Sequence, residues 1–454
     1  MHREKLLGER KGNTMDYKNK AEQIIYDCLI NPYLVKTPQY IGTELELPVI
    51  ATKDAKGSHK VVIDGLLRYM ISNCGFTRES VGSDGFIVRI SNGIDALSCD
   101  YSYQIFEFSM GKDICINKIE QRFSKLYKTV KDYLNGHGFI ITGMGTHHFG
   151  LDFADDSQYT HDLFYSAVRR FILDNTQQHD PSRYYTEMAS AQSHIEVDGT
   201  RIIDAMNLEI KLDFIRALLF SNSLPNKSVQ NYLDYPDSTI CIRDYLWRQQ
   251  YLPNVDPQNH LYSNLEDLIC HIRNLKLFCE TDDDGHLVVF NPITLNDYFA
   301  DDAKIEKGLS CFRSFEHVVL NNHATLEIRD DCMQPVSNAF VPLAFNLGVL
   351  NNIDRVSHVV DLFLSEINMF DFAVLREKAV TRQEIAPREQ ISELLMSVVD
   401  CAKEGLMLRG YGEEQYLKCL YDRIKVMMSP AEYTLSELKA GRTMLDVAIE
   451  FSYQ

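Results

Sequence analysis

The chain has no uninterrupted apolar stretch of membrane-spanning length, no C-x-x-C, no Pro/Gly/Ser-rich linker and too few basic residues to balance its acidic ones. Each absence excludes something. Without an apolar run of about 20 residues there is no candidate membrane helix. The opening Met1-His2-Arg3-Glu4-Lys5 continues into polar and charged residues through Asn19, without the apolar core of a secretory signal, so a cytoplasmic location is expected. The 11 cysteines are odd in number and scattered, so at least one stays unpaired in any connectivity, which fits a reducing compartment. With 46 basic against 64 acidic residues the formal charge is −18. Such a surface repels nucleic-acid backbones and anionic lipids, and neither is an expected partner. ATP is compatible with it, because Mg²⁺ held by carboxylates brings a polyanion into an acidic site.

What is present is the composition of a folded protein: 454 residues, 45% hydrophobic and 24% charged. The length allows one large enzymatic domain or two subdomains. Residues 1–20 read as a polar tail, 21–350 as a catalytic sheet with helices, and 351–454 as a helical part of the same domain. Alternation of apolar and polar residues predicts strands over 40–50 and 104–109. Ile119, Phe123, Leu126, Val130 and Leu134 recur at helical spacing, and Asn135-Gly136 supplies a stop. A strand is expected over 139–142 and a single apolar helix over 208–220. Strands mixed with helices and then a helical C-terminus indicate an α+β fold with an antiparallel or mixed sheet.

On the first strand Glu44 and Glu46 are two residues apart and project from one face. Asp100 and Glu107 flank a second strand, with Glu107 opposite to Phe106 and Phe108. The strand at 192–197 places Gln192, His194 and Glu196 on one face, and 325–329 places Glu327 and Arg329 together. Each segment alone is most simply a solvated sheet face. Four strands that all present carboxylate or imidazole to a shared face repel one another unless cations neutralise them.

The order of these residues resembles the glutamate–cysteine ligase and carboxylate–amine ligase family of the glutamine-synthetase superfamily. The likeness begins at the G-x-E-x-E strand of Gly42, Glu44 and Glu46 and continues through Asp100 and Glu107. Gly143-Met144-Gly145-Thr146-His147-His148 is similar to a G-M-G-T-H-P turn, and Gln192-Ser193-His194 to Q-V-H. Ala217 to Ser223 resembles A-L-x-A-N-S-P, Arg243 to Trp247 R-x-x-x-W, Thr325 to Arg329 T-L-E-x-R, and Gly410 to Leu417 G-x-G-E-E-x-x-L. No single match is specific, and their collinear succession is.

The resemblance implies a curved, mostly antiparallel sheet that cradles ATP, with flanking helices. It implies two or three Mg²⁺ ions, for which Mn²⁺ can substitute, held by Glu44, Glu46, Asp100, Glu107, His194 and Glu327. It further implies transfer of the γ-phosphoryl to a donor carboxylate and attack by an amine, both substrates being small molecules such as amino acids. Arg329 and Arg243 are the candidate catalytic residues and, with Gln192, the candidates for binding ATP. A homo-oligomer is compatible with this reading. Alternatives remain a phosphotransferase of the same superfamily and an inactive nucleotide-binding homologue. The sequence departs from plant-like members at Asn321, Asn322, His323 and Ala324, where those members carry a basic strand, and this points to a different donor or acceptor. Cys99 and Cys115 are either a redox pair or buried thiols, and the His147-His148 doublet reads as a loop feature.

Overall fold

A computed structural model describes residues 19–34, 39–149, 159–176, 185–226, 234–247, 251–255, 259–284, 286–301, 308, 311–321 and 323–453. Most of the expected polar tail, and Asn322, lie outside them. Eleven strands are present among the described residues: β1 Ile41–Ala51, β2 Thr77–Val81, β3 Ile87–Ser91, β4 Ala96–Cys99, β5 Ile105–Asp113, β6 Phe139–Ile141, β7 Ala191–Ile195, β8 Lys276–Thr281, β9 Leu287–Thr294, β10 Val318–Leu320 and β11 Leu326–Ile328. Nine of them form one antiparallel sheet in the order β10-β11-β7-β1-β5-β4-β3-β2, with β6 joined to the end of β1. β8 and β9 form a separate hairpin. The α+β expectation holds.

β1 is the centre of the sheet because it is long enough to pair three ways. Its first half runs beside β7, its last residues beside β6, and its other edge beside β5. Directly paired residues in an antiparallel sheet point to the same side, so the register sorts the side chains into two faces. Leu45, Leu47, Phe106, Phe108 and Ile195 are fully buried on one of them. There Phe108 packs edge-on against Phe123 of the helix Ile116–Gly136. The helix Val341–Leu350, with every residue buried, also lies against the sheet. Behind it runs the helix Arg388–Arg409, and the two backbones come so close that a Cβ on Gly405 would sit 2.0 Å from the Gly348 carbonyl oxygen.

Two local expectations differ from what forms. The helix from Ile116 runs through Gly136 and ends before Gly138, whose φ of +80° is the left-handed turn that Asn135-Gly136 was expected to supply. The apolar segment over 208–220 is two helices, Ile202–Lys211 and Asp213–Phe220, broken at Leu212. Arg216 explains the break: its buried guanidinium turns back to donate to the Glu209 carbonyl at 2.9 Å and to the Glu209 carboxylate at 2.6 Å. A charge buried this way needs such partners, and hydrophobic periodicity does not register that need.

The chain is helical from Val341 onward, ten residues before the expected start at 351. The Gly410–Leu417 segment packs on the apolar side of the sheet, where Glu413 accepts from the free N–H of Ile116 at 2.8 Å and from Arg409 at 2.9 Å. Its role is to cap the long helix. No helix among the described residues is long and apolar enough to cross a membrane.

Candidate functional site

The second face of the sheet carries the polar residues. Glu46 pairs directly with Glu107, Glu44 lies opposite both Ser109 and Gln192, and His194 lies opposite both Gly42 and Glu327. Ser98 of β4 continues the row beside Glu107, and Arg89 of β3 follows Ser98. Asp100, in the turn after β4, receives the Tyr165 hydroxyl. The tertiary structure therefore gathers Glu44, Glu46, Asp100, Glu107, Gln192, His194 and Glu327 on one surface, from strands far apart in sequence.

The surroundings hold these carboxylates in unlike states. Burial pushes Glu46 up to about 7, with the Glu107 charge adding to the effect and Arg243 opposing it. Burial and the charges of Glu44 and Asp100 push Glu107 up to about 8, and burial with the Glu46 charge lifts Asp100 to about 7. At Glu44 burial is outweighed by His194, Arg329 and Arg89, and its carboxyl lies at about 2. His194 is raised although burial acts against it, because Glu327 and Glu44 favour its charged form.

Hydrogen bonds orient the strip. Glu46 accepts from the Ser190 N–H at 2.7 Å and from Gln192 Nε2 at 2.8 Å. Asn321 is fixed by three donors to its Oδ1, namely the N–H groups of His323 and Thr325 and the Thr325 hydroxyl. Its Nδ2 therefore faces His194 Nδ1 and Glu327 Oε2, each at 3.2 Å. His194 Nδ1 is then an acceptor, and Nε2 bears the proton, 3.6 Å from Glu44 Oε1.

Three arginines border the strip. Arg329 pairs with Glu327 at one edge. Arg89 lies 4.0 Å from Glu107 at the other and also pairs with Glu79. Arg243, on the helix Ile242–Trp247, donates to the Arg329 carbonyl at 2.7 Å and packs over Trp247. A buried network holds this corner together. Arg376 donates to Asp244 at 2.8 Å and to Asp213 at 2.7 Å and pairs with Asp330, while Arg216 bonds Asp213 and Asp330. Asp213, His317 and Asp330 lie as close as metal ligands do, and the two guanidinium groups supply their countercharge.

The chemistry of the strip fits divalent cations. Carboxylates that hold protons near neutral pH exchange them for metal, and one buried polar atom on the face, Gln192 Oε1, has no hydrogen-bond partner. Among the described residues, the sets of three ligand atoms within 4.8 Å are Asp213–His317–Asp330 and the exposed Asp282–Asp284–His286. The strip is thus spread along the sheet and does not converge on one point.

No protein-family model and no curated protein matches the sequence. Among solved structures, the glutamate–cysteine ligase of Francisella tularensis in complex with AMP aligns with 92% of this chain and 89% of its own at a TM-score of 0.54 and 12% identity. The chain has the glutamate–cysteine ligase fold. A bifunctional glutathione synthetase from Pasteurella multocida aligns with 95% of this chain and 52% of its own, at a TM-score of 0.46 and 10% identity.

Within this fold, several side chains were not singled out from the sequence. Arg89 sits in an alternating segment, Ile87-Val88-Arg89-Ile90-Ser91, whose period would have placed it on the polar face. Ser190 and Tyr165 carry no such signal, since they reach Glu46 and Asp100 only through the tertiary fold. Asn321 registered only as the loss of a cation, whereas it orients two site residues. His147 is buried and donates from Nε2 to the Val49 carbonyl at 3.1 Å, as His59 does at 2.8 Å. Burial holds both imidazoles low, at about 3 and about 4. All eleven cysteines, Cys99 and Cys115 included, are free thiols.

Proposed function

We propose that the chain is an ATP-dependent ligase that joins a carboxylate to an amine with release of ADP and phosphate. The observation that carries this reading is the Glu46–Glu107 cross-strand pair at the centre of the acidic strip. Like charges directly opposite one another destabilise a sheet, so the pair costs fold stability once both carboxyls ionise, unless cations occupy the site. Glu44, Glu46, Asp100, Glu107 and Glu327 would hold Mg²⁺ or Mn²⁺, and His194, with its proton on Nε2, would orient Glu44 beside them. Bound divalent ions supply neutralisation of phosphate charge during in-line transfer.

The chain's own residues do the rest. Arg243 Nη1 and Arg329 Nε are buried without partners beside the strip, and a guanidinium matches a phosphoryl group or a carboxylate in bidentate fashion. They would hold the γ-phosphoryl while the donor carboxylate oxygen attacks phosphorus and ADP leaves. Gln192, held through Nε2 by Glu46, would direct Oε1 at a ligand hydroxyl or amine. The acceptor amine then attacks the acyl carbon, the C–O bond to phosphate breaks, and an amide forms. Both substrates are small molecules, with amino acids the first to test. Oxygen-18 in the donor carboxylate should appear in the released phosphate. AMP and pyrophosphate as products would overturn the reading.

A further inference from the structure

We propose that Arg376 is a positioning residue for the phosphoryl-transfer corner, and that it fixes Arg243 against Arg329 from a helix outside the acidic strip. The proposal rests on the ligase reading above. Arg376 lies on the helix Phe372–Val380, which follows the strands of the strip in the chain, and it is among the largest fully buried side chains.

Its bonds close a ring. Arg376 Nε donates at 2.8 Å to the carboxylate of Asp244, the residue after Arg243. Its Nη1 pairs with Asp330, the residue after Arg329. Arg243 completes the ring, since its Nη2 donates to the Arg329 carbonyl at 2.7 Å. One guanidinium thus holds the neighbours of both arginines, and the last bond ties the two arginines to each other. Two further bonds anchor the ring to the fold. Arg376 Nη1 donates to the Asp213 carboxylate at 2.7 Å, and the Val380 carbonyl at the end of the same helix accepts from the Ile240 N–H at 2.8 Å.

Stability alone does not explain this network. Asp213, Asp244 and Asp330 are all buried, and replacing buried charge networks by apolar side chains of similar volume is often neutral or stabilising. What a satisfied buried network supplies is fixed geometry. The groups that gain from it are the two buried nitrogens beside the strip, Arg243 Nη1 and Arg329 Nε. Guanidinium groups that meet a transferring phosphoryl need such fixing, because a misplacement of about 1 Å can cost on the order of a hundredfold in rate.

Calorimetric titration of the full chain in MgCl₂ with ADP and with a non-hydrolysable ATP analogue reads the γ-phosphoryl contact without turnover. The parent should prefer the analogue by about a hundredfold, the scale of charge-assisted bonds to one group. Arg376→Lys keeps the charge and loses the planar fork, and should lower that preference about tenfold or more. Asp244→Asn weakens only the link to Arg243 and should lower it by a similar factor, which keeps the test open where Arg376→Lys does not fold. In an Arg243→Gln background Arg376→Lys should lower the preference by less than about threefold, because the residue it acts through is gone. Glu413→Ala also unpairs a buried arginine, on the opposite side of the sheet, and should keep the parent preference. A parent without the preference, a folded Arg376→Lys or Asp244→Asn that retains it, or equal losses in the two backgrounds overturns the proposal. ADP release with a donor, at a rate and preference that Arg376→Lys leaves unchanged, would sink the positioning role and leave the ligase reading standing. A preference lost in Arg376→Lys, but no ADP release with any donor, would do the reverse.

Discussion

Glu107 and Glu46 face each other across two strands, and each feels the other through little water. Replacing Glu107 by Gln keeps the shape and removes one of the two charges. Above about pH 8, where both carboxyls are ionised, and without divalent ions, the variant should be more stable than the parent by on the order of 1 kcal/mol, the scale of a cross-strand charge pair. Its turnover should fall by about a hundredfold or more if the strip holds the ions. Thermal melts and ADP release measure the two effects, and unchanged turnover would remove Glu107 from the metal set.

The same residues set a pH dependence. Glu46 and Asp100 at about 7 and Glu107 at about 8 hold protons in the folded state that an unfolded chain releases near pH 4. The folded state binds more protons in between, so its stability falls as pH rises from about 4 to about 8 and levels off above that. Melting temperatures recorded in EDTA should show this decline. Glu107→Gln should flatten it, and so should Mg²⁺, since a bound cation replaces the protons.

At the scale of elements, the caps and breaks are where structure and expectation part. The G-x-G-E-E segment belongs to the motif series that carried the family resemblance, and in the fold Glu413 is fully buried with Arg409 and caps the helix Ile116–Gly136. Glu413→Ala leaves a buried guanidinium unpaired and should cost about 3–5 kcal/mol. Turnover per folded molecule, measured below the melting range, should be unchanged, because the capped helix lies on the face opposite to the acidic strip. A large loss of turnover with little loss of stability would give Glu413 a role in the site. The break at Leu212 has a similar origin. Apolar spacing describes one continuous stripe, and a buried Arg216 with four acidic neighbours imposes a turn within it.

For the whole molecule, the −18 charge and the acidic strip make nucleotide binding conditional on cations. MgATP at a hundred times its dissociation constant should stabilise the fold by about 2.7 kcal/mol, and ATP in EDTA should give almost none of that shift. An equal shift in EDTA would show that the arginines alone bind the nucleotide. The substrate expectation from Asn321 and His323 also belongs here. The imidazole of His323 is held low by burial and by the neighbouring His194 charge, so it adds little cation to the site. Glutamate with cysteine should therefore turn over poorly. Turnover of about one per second or faster, with Michaelis constants in the usual micromolar-to-millimolar range, would refute this.

Read alone, the sequence determined the parts that depend on neighbours along the chain. Alternation placed Glu44 with Glu46 and Glu327 with Arg329, helical spacing drew the helix from Ile116, and composition set an acidic net charge. The order of short motifs indicated a ligase-like sheet. Only the tertiary structure decided which faces meet: that Glu107 stands opposite Glu46, that Asn321 sets the proton of His194, that Arg89 closes the far edge, and that Glu413 serves a helix. Those facts follow from strand register and from buried charges finding partners far away in sequence. Local patterns encode which way a side chain points, and not what it will find there.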